Sequence, residues 1–224
     1  MEEWMPLIIS VKTTLAATII TFFIGIFTAW YIDRVDVKYR GVLDAVLTLP
    51  MVLPPTVVGF FLLLILGRKG IFGNIFHSIG INIVFSWSAT VIAAVVVSFP
   101  LMYKTVKGAF EQIDKNLINA ARTMGVSDLK IFTRVIVPLA WPGIAAGTVL
   151  SFARALGEFG ATLMIAGNIP GKTQTIPIAI YFAAEGGDMK SAMGWVAVVF
   201  IVSMSVMILM NYWNNYQKKN SKMW

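Results

Sequence analysis

The sequence EQIDKNLINAARTMGVSDLKIFTRVIVP, from Glu111 to Pro138, is a long polar segment in a chain that is otherwise strongly apolar. Within this polar segment, apolar or small residues recur at helical spacing, at Ile113, Leu117, Ala120, Ala121 and Met124. Gly125 is expected to end this helix in the left-handed conformation, and Ser127 is expected to cap a second helix. The pattern therefore predicts a water-facing helix with one narrow apolar face, a sharp turn and another helix.

The composition of the chain places it in a lipid bilayer. Of its 224 residues, 58% are hydrophobic and 13% are charged, which is more apolar surface than a soluble domain of this size can bury. Cysteine is absent and His77 is the single histidine, so the sequence excludes disulfides and a multi-histidine metal site. No cofactor is expected. Glu2 and Glu3 precede the first apolar run without a basic cluster, which is not the pattern of a cleaved signal peptide.

Five apolar runs have the length of about 20 residues that crosses a bilayer as a helix. Their approximate bounds are 10–32, 44–66, 83–105, 134–156 and 190–213. The second run contains Pro50, Pro54 and Pro55, and we expect it to be kinked or broken because proline cannot donate a backbone hydrogen bond. The predicted fold class is an all-α polytopic membrane protein, formed by one domain over residues 1–224.

The region between the fourth and fifth runs, 158–190, is apolar in patches but is interrupted by several glycines and prolines. We predict non-helical or half-helical backbone at membrane depth, followed by an external loop. The competing interpretation counts 159–184 as a sixth span, built from 159–171 and 173–184.

The distribution of basic residues separates these two interpretations. With five spans, most of the 18 Lys and Arg residues fall on one side of the membrane, in the connections after the first and third spans and at Lys218, Lys219 and Lys222. The positive-inside rule then places the N-terminus outside and the C-terminus in the cytoplasm. A sixth span would move the basic tail outside. Orientation thus explains the formal net charge of +7, and nucleic-acid binding is not expected.

A family resemblance is carried by Ala120, Ala121 and Gly125, followed by Pro138. This pattern resembles the EAA loop of permease subunits of bacterial ABC importers. In this sequence, Asn119 stands where that family often has glutamate. The stretches LPMVLPPTVVGFFLL, from Leu49, and SFARALGEFGATLMIAGNIPGKTQTIPIAIY, from Ser151, are similar to the oxyanion-importing branch. Within that branch, the chain looks most like molybdate permeases.

The resemblance implies a coupling loop, 107–133, that docks on a separate ABC ATPase. The residues expected at this contact are Asn119, Ala120, Ala121, Met124, Gly125 and Pro138. The implied partners are two ATPase subunits, an extracytoplasmic oxyanion-binding protein and a second permease copy, in a bacterial or archaeal plasma membrane. The sequence has no phosphate-binding GxxxxGK[ST] loop, so the chain is predicted to be a transport subunit whose partner hydrolyses ATP, and not an enzyme.

Two charged residues are candidates for the anion path. Arg154 and Glu158 are four residues apart, which allows either a structural ion pair or an arginine along the path that its glutamate partly masks. One masked arginine cannot make a high-affinity oxyanion pocket. Selectivity is therefore expected in the separate binding protein.

The remaining candidates have equally open interpretations. Pro50, Pro54 and Pro55 are expected to form a gate hinge or a packing kink. Asn168, Lys172 and Thr173 are suited to binding an anion or a docked partner, but a solvated loop would have the same residues. Sulfate, thiosulfate and tungstate remain alternative substrates. A channel or secondary transporter without an ATPase is disfavoured because the spans contain almost no ionisable residues.

Overall fold

The computed structural model describes residues 4–221, with side chains described through 209 and at Tyr212, and all regular structure in this range is helical. The helices are α1 (Met5–Ile32), α2 (Val37–Val52), α3 (Pro55–Leu66), α4 (Ile71–Ser78), α5 (Trp87–Glu111), α6 (Lys115–Thr123), α7 (Asp128–Ile131), α8 (Val137–Leu156), α9 (Gly160–Ala166), α10 (Ile176–Glu185) and α11 (Met189–Ser221). One turn of π-helix, Phe132–Ile136, joins α7 to α8.

Four helical stretches are long and apolar enough to cross a membrane: α1, α5, the continuous run Asp128–Leu156 and the part Met189–Leu209 of α11. Helices α2 and α3 form a fifth candidate span if the bent pair is counted as one. The predicted all-α membrane fold is confirmed. The orientation of the chain stays a prediction, and the side chains of Lys218, Lys219 and Lys222, on which it partly rests, lie outside those described.

The break in the second span occurs at Pro54 and Pro55. Leu53 and Pro54 are extended, and Pro55 is the first residue of α3, a position where a missing N–H costs no helical hydrogen bond. The axes of α2 and α3 differ by 112°. Pro50 lies inside α2, so the two later prolines make the bend.

The centre of the bundle is formed by α1, α5 and α8, which pack against one another. Small residues permit close approach, since a Cβ on Gly25 of α1 would lie 2.6 Å from Met102 Cγ of α5. The Thr13 and Thr90 hydroxyls are 3.0 Å apart between α1 and α5, and the Trp87 indole N–H donates to Thr13 Oγ1 at 3.0 Å. This interface fixes α1 along α5.

The interrupted region before α11 consists of two short helices joined by the non-helical residues 167–175. Helix α9 has seven residues and packs between α3 and α5, whereas α10 has ten residues and packs against α11 and α1. Gly59 of α3 allows the contact with α9, because a Cβ there would lie 2.7 Å from Ala161 Cα. Within residues 4–221, no candidate span falls in 159–184.

Helix α5 continues to Glu111, beyond the expected span end at 105 and into the expected coupling loop, 107–133. The extension has a physical reason. The Nζ atoms of Lys104 and Lys107 both lie 2.9 Å from Oδ2 of Asp44, and these contacts hold the C-terminal part of α5 against α2 where the apolar run has ended.

Candidate functional site

The polar segment contains the predicted helix and its glycine stop. Helix α6 begins after Asp114, whose side chain accepts the Asn116 N–H at 2.8 Å. It ends at Thr123, and Gly125, just after the C-cap residue Met124, has φ of +75°. The Gly125 N–H donates to Arg122 O at 2.9 Å and the Val126 N–H donates to Ala121 O at 3.2 Å, which are the two bonds of a Schellman motif. The capping role of Asp114 was not predicted, although Asp is a common N-cap residue.

The start of α7 differs from the prediction. Ser127 occupies the N-cap position and its carbonyl accepts the Ile131 N–H at 3.0 Å, but its side chain makes no capping bond among the described residues. Helix α7 is a single turn that runs directly into the π-helical turn. Backbone continuity, and not the expected side-chain cap, therefore orders this turn.

Five of the six residues expected at the ATPase contact lie together on α6 and its C-terminal turn. Asn119, Ala120 and Gly125 are exposed, Ala121 is half-buried, and Met124 is 81% exposed. Helix α6 is described in full and none of its residues is buried. Pro138, also exposed, is separate from this surface, in the first turn of α8. The chain thus presents a small apolar surface that its own described residues do not cover.

Asp128 connects the polar segment to the end of α1. Its Oδ2 lies 3.3 Å from Arg34 Nη2, and its Oδ1 lies 3.2 Å from Arg122 Nε. Next to this pair, the rings of Trp30 and Phe132 have centroids 4.4 Å apart. The contact of Asp128 with Arg34 was not predicted, because no local pattern relates residues 94 positions apart.

Arg154 and Glu158 form the predicted ion pair, with Arg154 Nη1 2.9 Å from Glu158 Oε2. The pair is not on one continuous helix, since α8 ends at Leu156. Glu158 is 3% exposed, and its second oxygen accepts the Ala161 N–H of α9 at 2.8 Å. Glu158 therefore also binds the backbone at the start of α9, a role that its spacing from Arg154 did not predict.

The start of α9 brings the ion pair close to the proline break. A Cβ on Gly160 would lie 3.2 Å from Pro55 Cβ, so the first residues of α3 and α9 are in contact. Pro50 and Pro55 are half-buried and Pro54 is exposed. Pro55 and the region of Glu158 are thus neighbours, while Pro50 belongs to the α2 side of the bend.

The three loop residues proposed for an anion or partner have different environments. Thr173 is buried, and its hydroxyl donates to Gly167 O and accepts the Ile169 N–H, both at 3.1 Å. That hydroxyl thus already donates and accepts a hydrogen bond within the chain. Asn168 Oδ1 is buried and has no hydrogen-bond partner among the described residues. Lys172 is exposed.

Comparison with known proteins agrees with this architecture. Residues 21–220 match the family described as binding-protein-dependent transport system inner membrane component. The chain is 41% identical over 212 residues to the molybdenum transport system permease protein ModB of Escherichia coli K12, covering 94% of this chain and 93% of that protein. It is 42% identical over 203 residues to the putative molybdenum transport system permease protein YvgM of Bacillus subtilis 168, covering 90% and 89%.

A solved structure shows the same fold at lower sequence identity. A chain of a bacterial ABC transporter involved in the import of the acidic polysaccharide alginate superimposes with a TM-score of 0.72 and 18% identity. The match covers 93% of this chain and 79% of that one. With the family match and the candidate membrane spans, these findings show that the chain belongs to the multi-pass inner membrane components of binding-protein-dependent transport systems, the permease subunits of ABC importers.

Proposed function

We propose that this protein is the membrane-spanning subunit of an ATP-driven importer of molybdate. The observation that carries the substrate assignment is its similarity, over about nine-tenths of both chains, to two molybdenum permeases. The paired state of Arg154 supports a route without a strong anion site of its own, because Glu158 neutralises the arginine. Selection of the anion then belongs to an extracytoplasmic binding protein.

The energy for transport enters through the polar segment. A separate ATPase docks on the uncovered apolar surface of α6, where Met124 and Ala120 enter a groove of the partner and Gly125 ends the helix. This mode of recognition is that of a short helix in a hydrophobic groove. The sequence lacks a phosphate-binding loop, which is consistent with ATP hydrolysis by the partner.

Two permease copies and two ATPases form the complete transporter. Closure of the ATPases on ATP brings the two polar segments together and turns the spans from an inward-facing to an outward-facing arrangement. The bent pair α2–α3 lines the pathway, since interrupted helices within a membrane occur where protein or a cavity shields their backbone. The bound anion is then released from the binding protein into the open pathway.

Uptake of radiolabelled molybdate by cells that express the complete transporter tests the substrate. We expect uptake to disappear when the permease is deleted, and to be reduced by unlabelled molybdate but not by the same excess of sulfate. Stronger competition by sulfate than by molybdate would assign the protein to sulfate import. Uptake that persists after deletion of the ATPase would support a channel or secondary transporter instead.

A further inference from the structure

The polar segment has a connection to the end of α1 that is separate from its covalent links to α5 and α8. The carboxylate of Asp128 bridges Arg34, just after α1, and Arg122, in α6, at 3.3 and 3.2 Å. One side chain therefore joins the helix that carries the proposed docking surface to the end of α1. The connection spans 94 residues of sequence and is formed entirely by tertiary contacts.

Aromatic contacts reinforce this ion pair. The Arg34 guanidinium carbon lies 3.8 Å from the centroid of the Trp30 ring, within the range of a cation–π contact. Trp30 in turn packs against Phe132, which is 6% exposed. An isolated surface ion pair is usually weak because two long side chains must be ordered. Here the stacking on Trp30 already restricts Arg34, so the pair has a defined geometry.

The direct route from the polar segment to α8 passes through the π-helical turn that begins at Phe132. Such turns are rare and are frequently found at functional positions within helices. A displacement of the polar segment can be absorbed there by a change of helical register. Asp128, which contacts Arg34, precedes this turn, and Phe132, which contacts Trp30, is its first residue. Both contacts therefore link the polar segment to α1 without passing through the turn.

Helix α1 is well placed to transmit a displacement. It packs along α5 and α8, and Gly25 allows a close contact with Met102 of α5. We propose that Arg34, Trp30, Asp128 and Phe132 are positioning residues that couple movement of the polar segment to α1. This inference rests on the proposed function, in which an ATPase moves the polar segment.

The test uses the complete transporter in proteoliposomes, with the ATPase and binding protein present, and measures radiolabelled molybdate transported per ATP hydrolysed. The variants are Arg34→Gln, Asp128→Asn and the two combined. Asp33→Asn is the matched control, because Asp33 Oδ1 pairs with Arg40 Nη1 at 3.2 Å in the same connection without contacting the polar segment. Asp128→Glu retains the charge and tests conservative rescue.

We expect both single variants to assemble and hydrolyse ATP, while molybdate transported per ATP falls about fivefold, the lower range of typical coupling effects. The double variant should fall no further than Asp128→Asn, because the contact between Arg34 and Asp128 is already lost in that single variant. Asp33→Asn should keep the ratio of the unmodified protein, and Asp128→Glu should regain most of it.

Three outcomes would overturn the proposal. An unchanged ratio in both single variants would show that α1 needs no such connection. Loss of ATPase binding by the variants would assign these residues to the folding of the polar segment. An unmodified complex that hydrolyses ATP without transporting molybdate would contradict the proposed function itself. This failure can be told apart from failure of the present proposal, because it is seen in the complex without any substitution.

Discussion

Arg154 Nη1 lies 2.9 Å from Glu158 Oε2, and the other oxygen of the same carboxylate accepts the Ala161 N–H in the first turn of α9. Glu158 is thus the counter-ion of Arg154 in α8, and it also accepts a backbone N–H at the start of α9. Because Glu158 is buried, removal of Arg154 would leave a negative charge without its cation inside the protein.

We therefore expect Arg154→Ala to lower the free energy of unfolding by about 3 kcal/mol. The combination with Glu158→Gln should recover most of this loss, since glutamine keeps an oxygen for the Ala161 N–H without a charge. Thermal unfolding of the purified permease measures both. We also expect molybdate uptake to recover in the double variant. Uptake that stays absent at recovered stability would contradict a structural role and assign Arg154 to the anion path.

The left-handed conformation of Gly125 predicts a selective effect of substitution on ATPase docking. No described heavy atom lies within 4 Å of a Cβ built on Gly125, so its requirement is conformational and costs another residue about 1–2 kcal/mol. Gly125→Val should lose most of the ATPase that co-purifies with the permease, whereas Gly125→Asn should retain it, because asparagine tolerates φ near +75°.

The control for this comparison is Gly41→Val, an exposed glycine in α2 without a positive φ and without a described atom within 4 Å. It should leave ATPase co-purification unchanged. Equal losses from Gly125→Val and Gly125→Asn would mean that the partner needs the space beside Gly125, and that backbone conformation is not the reason for the glycine.

Asp44 anchors α2 to α5 and should matter for stability more than its position at a helix surface suggests. Its carboxylate accepts the Tyr103 hydroxyl and lies 2.9 Å from the Nζ atoms of Lys104 and Lys107, while α2, described in full, has no buried residue. Asp44→Asn should lower the free energy of unfolding by about 2 kcal/mol, as expected for hydrogen bonds to a charged group.

Asp33→Asn serves as the comparison for Asp44→Asn, because Asp33 also forms an ion pair but its side chain is 73% exposed. Its effect on the free energy of unfolding should stay within about 0.5 kcal/mol. Denaturant titration of both purified variants gives this difference. Similar destabilisation by the two changes would refute the anchoring role of Asp44.

The contact of Gly25 with Met102 predicts that α1 and α5 cannot be moved apart without loss of stability. Gly25→Val places carbon atoms where Met102 Cγ now lies, and overpacking of this kind costs about 2 kcal/mol. Addition of Met102→Ala should restore much of the stability, because it opens the required space. If Gly25→Val unfolds at the same temperature as the unmodified protein, the packing of α1 on α5 is looser than described.

Features governed by neighbouring residues could be predicted from the sequence. The glycine stop at Gly125 follows from the conformational freedom of glycine, and the break at Pro54 and Pro55 follows from the missing N–H group. The Arg154–Glu158 ion pair could also be predicted, because residues four positions apart can contact each other on one side of a helix. The length of the apolar runs predicted long membrane helices, although α5 extends beyond its apolar run.

Features formed between distant segments could not be predicted in this way. Asp44 meets Lys104 across 60 residues, and Arg34 meets Asp128 across 94. Their pairing depends on how α1, α2 and α5 pack, and charge alone offers several equally suitable partners. The hydrogen-bond partners of the Thr173 hydroxyl could not be predicted either, since only the folded loop brings it to Gly167 and Ile169.

Reconstitution of the purified components tests the central claim most directly. Proteoliposomes that contain the permease and its ATPase, with the binding protein on the side opposite the ATPase, are supplied with radiolabelled molybdate and ATP. We expect molybdate to accumulate against its gradient only when all three proteins and hydrolysable ATP are present. Accumulation or rapid equilibration of molybdate by the permease alone would contradict ATP-driven import by this complex.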